Sequence, residues 1–138
     1  MTAAPGKACG PCTMCCSALE IAEIKKPAGP LCANCRVAEG CAVYPDRPQV
    51  CRDFECEWLV RRDLSRRFRP DVAGVILMED ADSDEYRAVC PPEKPMAWRQ
   101  PQIFAHLVAA ARSGRMVVAK SGLMSWRVYP SGAWSVTV

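Results

Sequence analysis

Nine of the ten cysteines in this 138-residue chain lie among residues 1–56. Prolines and glycines interrupt the same segment repeatedly, so no long helix or strand is expected there. A segment this irregular buries little apolar surface and cannot normally offset its chain entropy without cross-links or bound metal. We therefore expect the cysteines to hold its shape. They are Cys9, Cys12, Cys15, Cys16, Cys32, Cys35, Cys41, Cys51 and Cys56.

The compartment decides between metal ions and disulfides as the cross-links. Residues 1–10 carry neither a basic start followed by an apolar stretch nor a cleavage site, and no apolar run reaches the length of a membrane span. This pattern predicts a cytoplasmic protein without membrane contact. Cysteine clusters in a reducing compartment bind metal more often than they form disulfides, so disulfides are the lesser alternative.

The spacing of the cysteines suits metal coordination by thiolates. Three pairs are separated by two residues, and a tight Cys-x-x-Cys turn brings two sulfurs within reach of one ion. Cys15 and Cys16 are adjacent and point in different directions in almost any backbone conformation, so they most easily serve different ions. We expect more than one metal ion in the segment.

Zinc is the first expectation for the identity of that metal. Four thiolates per ion is the familiar closed structural arrangement, and eight of the nine cysteines would fill two such sites. The chain has a single histidine, His106, which disfavours mixed sites of cysteine and histidine. A soft ion such as copper(I) is a further alternative.

An iron–sulfur cluster is the main alternative to zinc. Cys9, Cys12 and Cys15 match the first three ligands of a ferredoxin-type run. The expected fourth cysteine, three residues further on and followed by proline, is missing because Cys16 follows directly. A fourth ligand would have to come from a distance, from Cys51, Cys56 or Cys90.

The cysteine motifs resemble those of a known bacterial family. The residues that carry the resemblance are Cys9-Gly-Pro-Cys12-Thr-Met-Cys15-Cys16, Lys26-Pro-Ala-Gly, Cys32-Ala-Asn-Cys35, Gly40-Cys41-Ala-Val-Tyr44 and Arg47-Pro-Gln-Val-Cys51-Arg-Asp-Phe-Glu-Cys56-Glu-Trp58-Leu. Together they are similar to the CxxCxxCC proteins, or YkgJ-type cysteine cluster family, described as zinc- or iron-chelating. The resemblance covers about residues 9–59 and implies metal chelation, with no reaction or substrate attached.

Two arginines close to the last cysteines are candidates to temper the negative charge of bound thiolates. Arg47 and Arg52 could donate hydrogen bonds to sulfur. They could equally pair with Asp46, Asp53 or Glu55, and the sequence leaves both readings open.

Residues 53–68 are predicted to form a helix that joins the two halves of the chain. On a helical wheel, Phe54, Trp58, Leu64 and Phe68 share one face, whereas Cys56 lies on the other. One face could then pack on the tail while the other meets metal.

The overall prediction is an α+β fold with two subregions. An irregular, metal-stapled module (residues 1–59) packs on a small antiparallel sheet with one or two helices (residues 60–138). Apolar patterns and turn residues place the tail's helix at 101–113 and its strands at 72–78, 86–90, 115–120, 123–129 and 134–138.

Other candidate sites in the tail have plain structural explanations. We expect His106 on the solvent side of its helix and Cys90 as a buried strand thiol. The five arginines among residues 61–69 are expected to be a solvated face, because a net charge of +3 is weak for a nucleic-acid-binding protein.

The sequence contains no recognisable catalytic motif, so any catalysis would have to take place at the metal. The expected function is a non-enzymatic protein that holds two or more thiolate-bound ions, with a structural or interaction role toward an unknown protein partner. An iron–sulfur protein that passes electrons to a partner is the alternative, and a metal store or carrier is the third. The oligomeric state is left open.

Overall fold

The computed structural model describes residues 4–7, 14, 25–26, 32–33, 35–36, 40–42, 56–80 and 83–137. Within the cysteine segment it describes a small antiparallel sheet of two strands, β1 (Cys35–Arg36) and β2 (Gly40–Cys41). The later elements are the helices α1 (Glu57–Val60), α2 (Pro70–Ala73) and α3 (Pro101–Arg112), and the strands β3 (Ile76–Asp80), β4 (Glu85–Val89), β5 (Met116–Ser121), β6 (Met124–Val128) and β7 (Trp134–Thr137).

Strands β3 to β7 form one sheet in chain order, and this sheet is mixed. The pairs β3–β4, β5–β6 and β6–β7 are antiparallel, but β4 and β5 run parallel. The prediction of an antiparallel sheet is therefore wrong at its centre. The physical reason is α3, because a helix between two strands supplies the crossover that a parallel pair requires. The described tail is an α+β fold with a mixed sheet.

The single helix predicted over 53–68 is also wrong in its described part. Helix α1 ends at Val60 because Arg61 is extended, and a separate 3-10 turn forms at Arg66–Phe68. The side chain of Ser65 accepts a hydrogen bond from the amide of Arg67, which favours a new turn over continuation of the first helix. Cys56 lies in the same apolar cluster as Trp58, not on an opposite face.

The strand predicted at 72–78 begins later than expected. Pro70 occupies the first turn of α2, and Gly74 ends that helix in the left-handed conformation with φ 76°. Proline at the start and glycine past the end are the usual boundaries of a helix. The apolar run therefore contributes its first residues to a helix and the rest, from Ile76, to β3.

Helix α3 matches its prediction closely. It starts at Pro101 and ends at Arg112, and Gly114 follows with φ 100°. Its buried residues Ile103, Leu107 and Ala111 recur at helical spacing and pack in the main core. Full burial of a side chain such as Leu107 stabilises the fold by roughly 1.5–3 kcal/mol.

Alternate residues of the β3–β4 hairpin face opposite sides of the sheet and pack in two separate apolar clusters. Leu77 packs in the main core under α3. Ile76, with Met78 and Val89, packs in a second cluster that contains Cys56, Trp58, Leu59 and Leu64. The residues that follow the cysteine segment thus rest on one face of β3 and β4, opposite the main core.

Trp98 and Trp126 pack against each other in the main core. Trp98 is fully buried, and its ring lies 5.6 Å from that of Trp126 and 5.5 Å from that of Trp134. Trp134 remains 38% exposed on β7.

Among the described residues, no helix combines the length and apolar character that spanning a bilayer requires.

Candidate metal centre

The structure describes four of the nine predicted ligands. The side chains of Cys32, Cys35 and Cys56 are described, together with the backbone of Cys41 in β2. The other predicted ligands and the two candidate arginines lie outside the described residues: Cys9, Cys12, Cys15, Cys16, Cys51, Arg47 and Arg52.

Cys32 and Cys35 form a tight turn. The amide of Cys35 donates a hydrogen bond of 3.0 Å to the carbonyl oxygen of Cys32, and both side chains are only 7% exposed. Such a turn shortens the distance between the two cysteines, and it presents donors that can approach one ion.

The turn continues directly into the β1–β2 hairpin. Cys35 in β1 lies opposite Cys41 in β2, and Arg36 lies opposite Gly40. Opposed residues of an antiparallel pair have Cα atoms about 4.5–5.5 Å apart. The backbones of three predicted ligands, Cys32, Cys35 and Cys41, thus come together in one short unit. Within the described part of the chain, no three cysteine, histidine or acidic side chains converge closely enough to hold an ion.

Cys56 belongs to the apolar cluster on the far face of the sheet. It precedes α1 directly and is 8% exposed, in contact with a cluster that includes Trp58, Leu64 and Ile76. Met14 packs against this cluster. Met14, the described residue of the first cysteine motif, therefore lies against the same cluster as Cys56.

Lys7 joins the beginning of the cysteine segment to the chain that follows it. Its ammonium group donates hydrogen bonds to the carbonyl oxygens of Trp58 at 2.7 Å, of Leu64 at 2.8 Å and of Arg61. The three donors of a lysine ammonium are thereby all used. The amide of Ala4 adds a hydrogen bond of 2.8 Å to the carbonyl oxygen of Leu59. We call this set of contacts the Lys7 clip.

The charge on Lys7 lies close to a predicted ligand. Burial lowers the pKa of Lys7, while the charges of Asp63 and then Cys56 oppose that effect. The ammonium also sits 4.9 Å from the centre of the Trp58 ring. A cation in this position favours the thiolate form of a neighbouring cysteine, which is the form that binds metal.

The indole nitrogen of Trp58 is a buried donor beside Cys56. Among the described residues, Nε1 of Trp58 finds no hydrogen-bond acceptor. A buried donor without a partner costs roughly 1–3 kcal/mol, so native structures seldom keep one. Donors of this kind commonly support metal-bound ligands, and no described acceptor, the Cys56 sulfur included, takes a hydrogen bond from this one.

The prediction that Cys90 is a buried thiol is confirmed. The residue follows β4 directly, is 2% exposed and packs in the main core. Burial raises the pKa of its thiol to about 11, so the group stays protonated at neutral pH. These properties are those of a packing residue.

The prediction for His106 is wrong. Its ring is half-buried and bonded to the hydroxyl of Tyr86, with Nε2 and oxygen 2.6 Å apart, and it packs against Phe68. Helical periodicity places residue 106 off the buried face of α3, and the contacts with Tyr86 of β4 and with Phe68 cover it instead. A polar partner on a distant strand leaves no local signal in the sequence.

The sequence gives no indication of Lys7 as an anchor, because its partners are main-chain carbonyls more than fifty residues away.

Comparison of the chain with protein-family models, with curated proteins and with solved structures finds no match. The resemblance to the CxxCxxCC family therefore rests on the cysteine motifs themselves.

Proposed function

We propose that this chain is a metal-binding protein of the CxxCxxCC type whose cysteine segment holds two or more thiolate-coordinated ions, with zinc as the metal. The observation that carries the proposal is the Cys32–Cys35 turn, whose second cysteine lies opposite Cys41 across the β1–β2 hairpin. A turn that leads into a hairpin of this kind is a compact way to bring cysteine donors to one ion.

Two contacts of residues next to the first cysteine motif support the proposal of a second ion. Met14 packs on the cluster that contains Cys56, and Lys7 donates hydrogen bonds to main-chain oxygens just after Cys56. The second ion would draw its ligands from the two ends of the cysteine segment.

The groups around Cys56 fit a thiolate better than a thiol. The Lys7 ammonium offers positive charge near Cys56. Bound zinc would supply folding free energy, roughly 10–16 kcal/mol for a structural site at neutral pH. That amount would offset the chain entropy of a segment with few apolar side chains.

The role that we propose for the zinc is structural, with the module serving as an interaction surface for a protein partner in the cytoplasm. Thiolate sites persist in reducing compartments, which is why the cytoplasm suits this chemistry. The alternative role is electron transfer through an iron–sulfur cluster, favoured by the spacing of Cys9, Cys12 and Cys15.

Elemental analysis of protein purified without oxygen and without added metal tests the proposal. We expect a colourless protein with two or more zinc ions per chain. A brown sample that contains iron and sulfide in equal amounts would show that the metal is an iron–sulfur cluster and not zinc. Metal-free protein with its cysteines joined in disulfides would overturn metal binding altogether.

A chelator distinguishes a structural site from a metal carrier. A structural site predicts that removal of zinc unfolds the cysteine segment. A carrier or store predicts that the ion leaves without loss of fold. Far-ultraviolet circular dichroism recorded during chelation separates these two outcomes.

A further inference from the structure

A cleft of about 260 Å³ lies where α1, the β3–β4 hairpin and the second half of α3 meet. The α3 wall is formed by Ala109, Ala110 and Ser113, whose small side chains leave the space open. Six ionisable side chains line the remainder: Glu57, Arg61, Glu79, Tyr86, His106 and Arg115.

The floor of the cleft is a hydrogen-bonded pair, Tyr86 and His106. Tyr86 is 2% exposed, and its hydroxyl lies 2.6 Å from Nε2 of His106. Phe68 packs against the imidazole from another side, with the ring centres 5.2 Å apart and the ring planes tilted by 52°.

The two guanidinium groups keep donors for a ligand. Arg115 uses Nη1 for Glu79 at 2.7 Å, and its centre lies 5.5 Å from the Tyr86 ring. Arg61 uses Nε and Nη2 for a two-point contact with Asp63. Each guanidinium carries five N–H donors, so the ion pair of Arg115 with Glu79 occupies only a part of its capacity.

Glu57 supplies negative charge at the other side of the cleft. Its side chain is 10% exposed, and its ion pair with Arg61 is long, at 3.6 Å between Oε2 and Nη1. A nearly buried carboxylate with so loose a contact retains capacity to accept hydrogen bonds. Glu57 and Arg115 both line the cleft, so a ligand inside it can contact a carboxylate and a guanidinium.

We propose that this cleft binds a small zwitterion of amino-acid size, with its carboxylate on Arg115 and its ammonium group on Glu57. A simple anion would meet Glu57 and Glu79, and a simple cation would meet Arg61 and Arg115, whereas a zwitterion meets a partner of opposite sign at each end. The volume falls below the range of about 300–1,000 Å³ for pockets that hold drug-sized molecules, which fits a smaller ligand.

The proposal is independent of metal binding, because the lining residues include no cysteine. Glu57 nevertheless follows Cys56 directly, so the test uses the full chain with its metal bound and records metal content for each variant. If a variant loses zwitterion binding while its metal content stays the same, the loss is caused by the change in the cleft and not by loss of metal.

The single histidine of the chain provides the measurement. Its ring resonances in nuclear magnetic resonance spectra belong to His106 without ambiguity. We expect glycine and L-alanine, added in the millimolar range, to shift these resonances to saturation. Propionate and ethylamine each offer only one of the two charges, so we expect them to bind at least about tenfold more weakly.

Two variants of lining residues and one control variant show where the ligand binds. Arg115→Gln removes the carboxylate partner and should weaken alanine binding about tenfold or more, which corresponds to the loss of one charge-assisted contact. Ala109→Phe fills the cleft from the α3 wall and should abolish binding. Ala105→Phe makes the same change at an exposed position one turn earlier on α3, outside the lining, and should leave binding unchanged.

The proposal is overturned if neither glycine nor alanine gives a saturable shift. It is equally overturned if propionate or ethylamine alone binds as tightly as alanine, since the cleft would then select one charge only. A shift that persists in Ala109→Phe, or that Ala105→Phe abolishes to the same degree, would place binding elsewhere.

Discussion

The ammonium group of Lys7 and the main-chain oxygen of Leu64 lie 2.8 Å apart although 57 positions separate these residues in the chain. All nine cysteines of the N-terminal segment fall between them. The Lys7 clip therefore closes the cysteine segment into a loop whose two ends lie together at α1. The proposed metal ligands in such a loop would bind with a smaller loss of chain entropy, because the Lys7 clip already holds the two ends of the loop together.

Replacement of Lys7 by methionine should destabilise the protein and weaken metal retention. The change removes three hydrogen bonds from a charged donor and leaves three carbonyls without that partner. Hydrogen bonds to charged groups contribute roughly 1.5–3 kcal/mol each, and partial exposure of Lys7 reduces this, so we expect a loss of about 2 kcal/mol or more. Denaturant unfolding followed by tryptophan fluorescence measures it.

Lys94→Met is the matched control for that experiment. Lys94 is exposed in the loop before α3, and the change should alter the free energy of unfolding by less than about 0.5 kcal/mol. Equal stability of the Lys7 and Lys94 variants would show that the clip contributes nothing to the fold.

Single replacements of Cys35 and Cys90 should differ in their effect on metal content. Cys35→Ser removes a proposed ligand from the turn and hairpin unit, so about one zinc ion per chain should be lost. Cys90→Ala removes a protonated core thiol and should leave the zinc content unchanged, at a cost of about 1 kcal/mol in stability. Elemental analysis of the two proteins makes the comparison, and equal zinc in both would exclude Cys35 as a ligand.

Chelation of the metal should unfold the chain unevenly. The main core around Trp98, Leu107 and Trp126 is built from residues after α1 and contains no proposed ligand. We therefore expect amide protons of β4, β5 and β6 to stay protected from hydrogen exchange while those of residues 1–56 lose protection. Loss of protection throughout the chain would mean that the sheet depends on the metal as well.

Acidification should reduce stability through His106. Burial first, and then the charge of Arg61, lower the pKa of His106 from 6.5, with Asp63 acting in the opposite direction and Tyr86 bonded to the ring. The unfolded chain takes up a proton as the pH falls through 6.5, whereas the folded chain resists it. The stability contribution is thus complete above pH 6.5 and is lost toward the lower pKa of the folded state.

His106→Gln isolates that contribution from other groups that titrate on acidification. Between about pH 7.5 and about pH 5.5 the wild type should lose more stability than the variant, by up to about 1.4 kcal/mol for each pH unit that separates the two pKa values of His106. Parallel stability curves for the two proteins, or a ring pKa of 6.5 or higher in the folded protein, would contradict the prediction.

Local patterns predict α3 and the β5–β6–β7 meander well, because each depends on neighbours in the sequence. Pro101 and Gly114 bound the helix, and Ile103, Leu107 and Ala111 define its buried face. The turn at Tyr129–Ala133 closes on a hydrogen bond of 2.9 Å between the amide of Tyr129 and the carbonyl of Ala133. Signals of this kind are short-range and can be read directly from residue types.

The features that the sequence does not reveal depend on contacts between distant elements. The parallel pairing of β4 with β5 follows from the path of α3, and no pattern within either strand encodes its direction. The bond between His106 and Tyr86 joins a helix to a strand 20 positions earlier. For the candidate metal centre, spacing identifies the cysteines as donors but does not assign each sulfur to an ion.

The Lys7 clip also bears on how the protein is made. On the ribosome the amino-terminal half of a chain emerges first, so the nine cysteines appear before Leu64 and the other acceptors of Lys7 have been synthesised. During that interval the nascent thiols are exposed before the Lys7 clip can form. If the segment binds metal as we propose, the supply of metal and the protection of these thiols from oxidants already matter during translation.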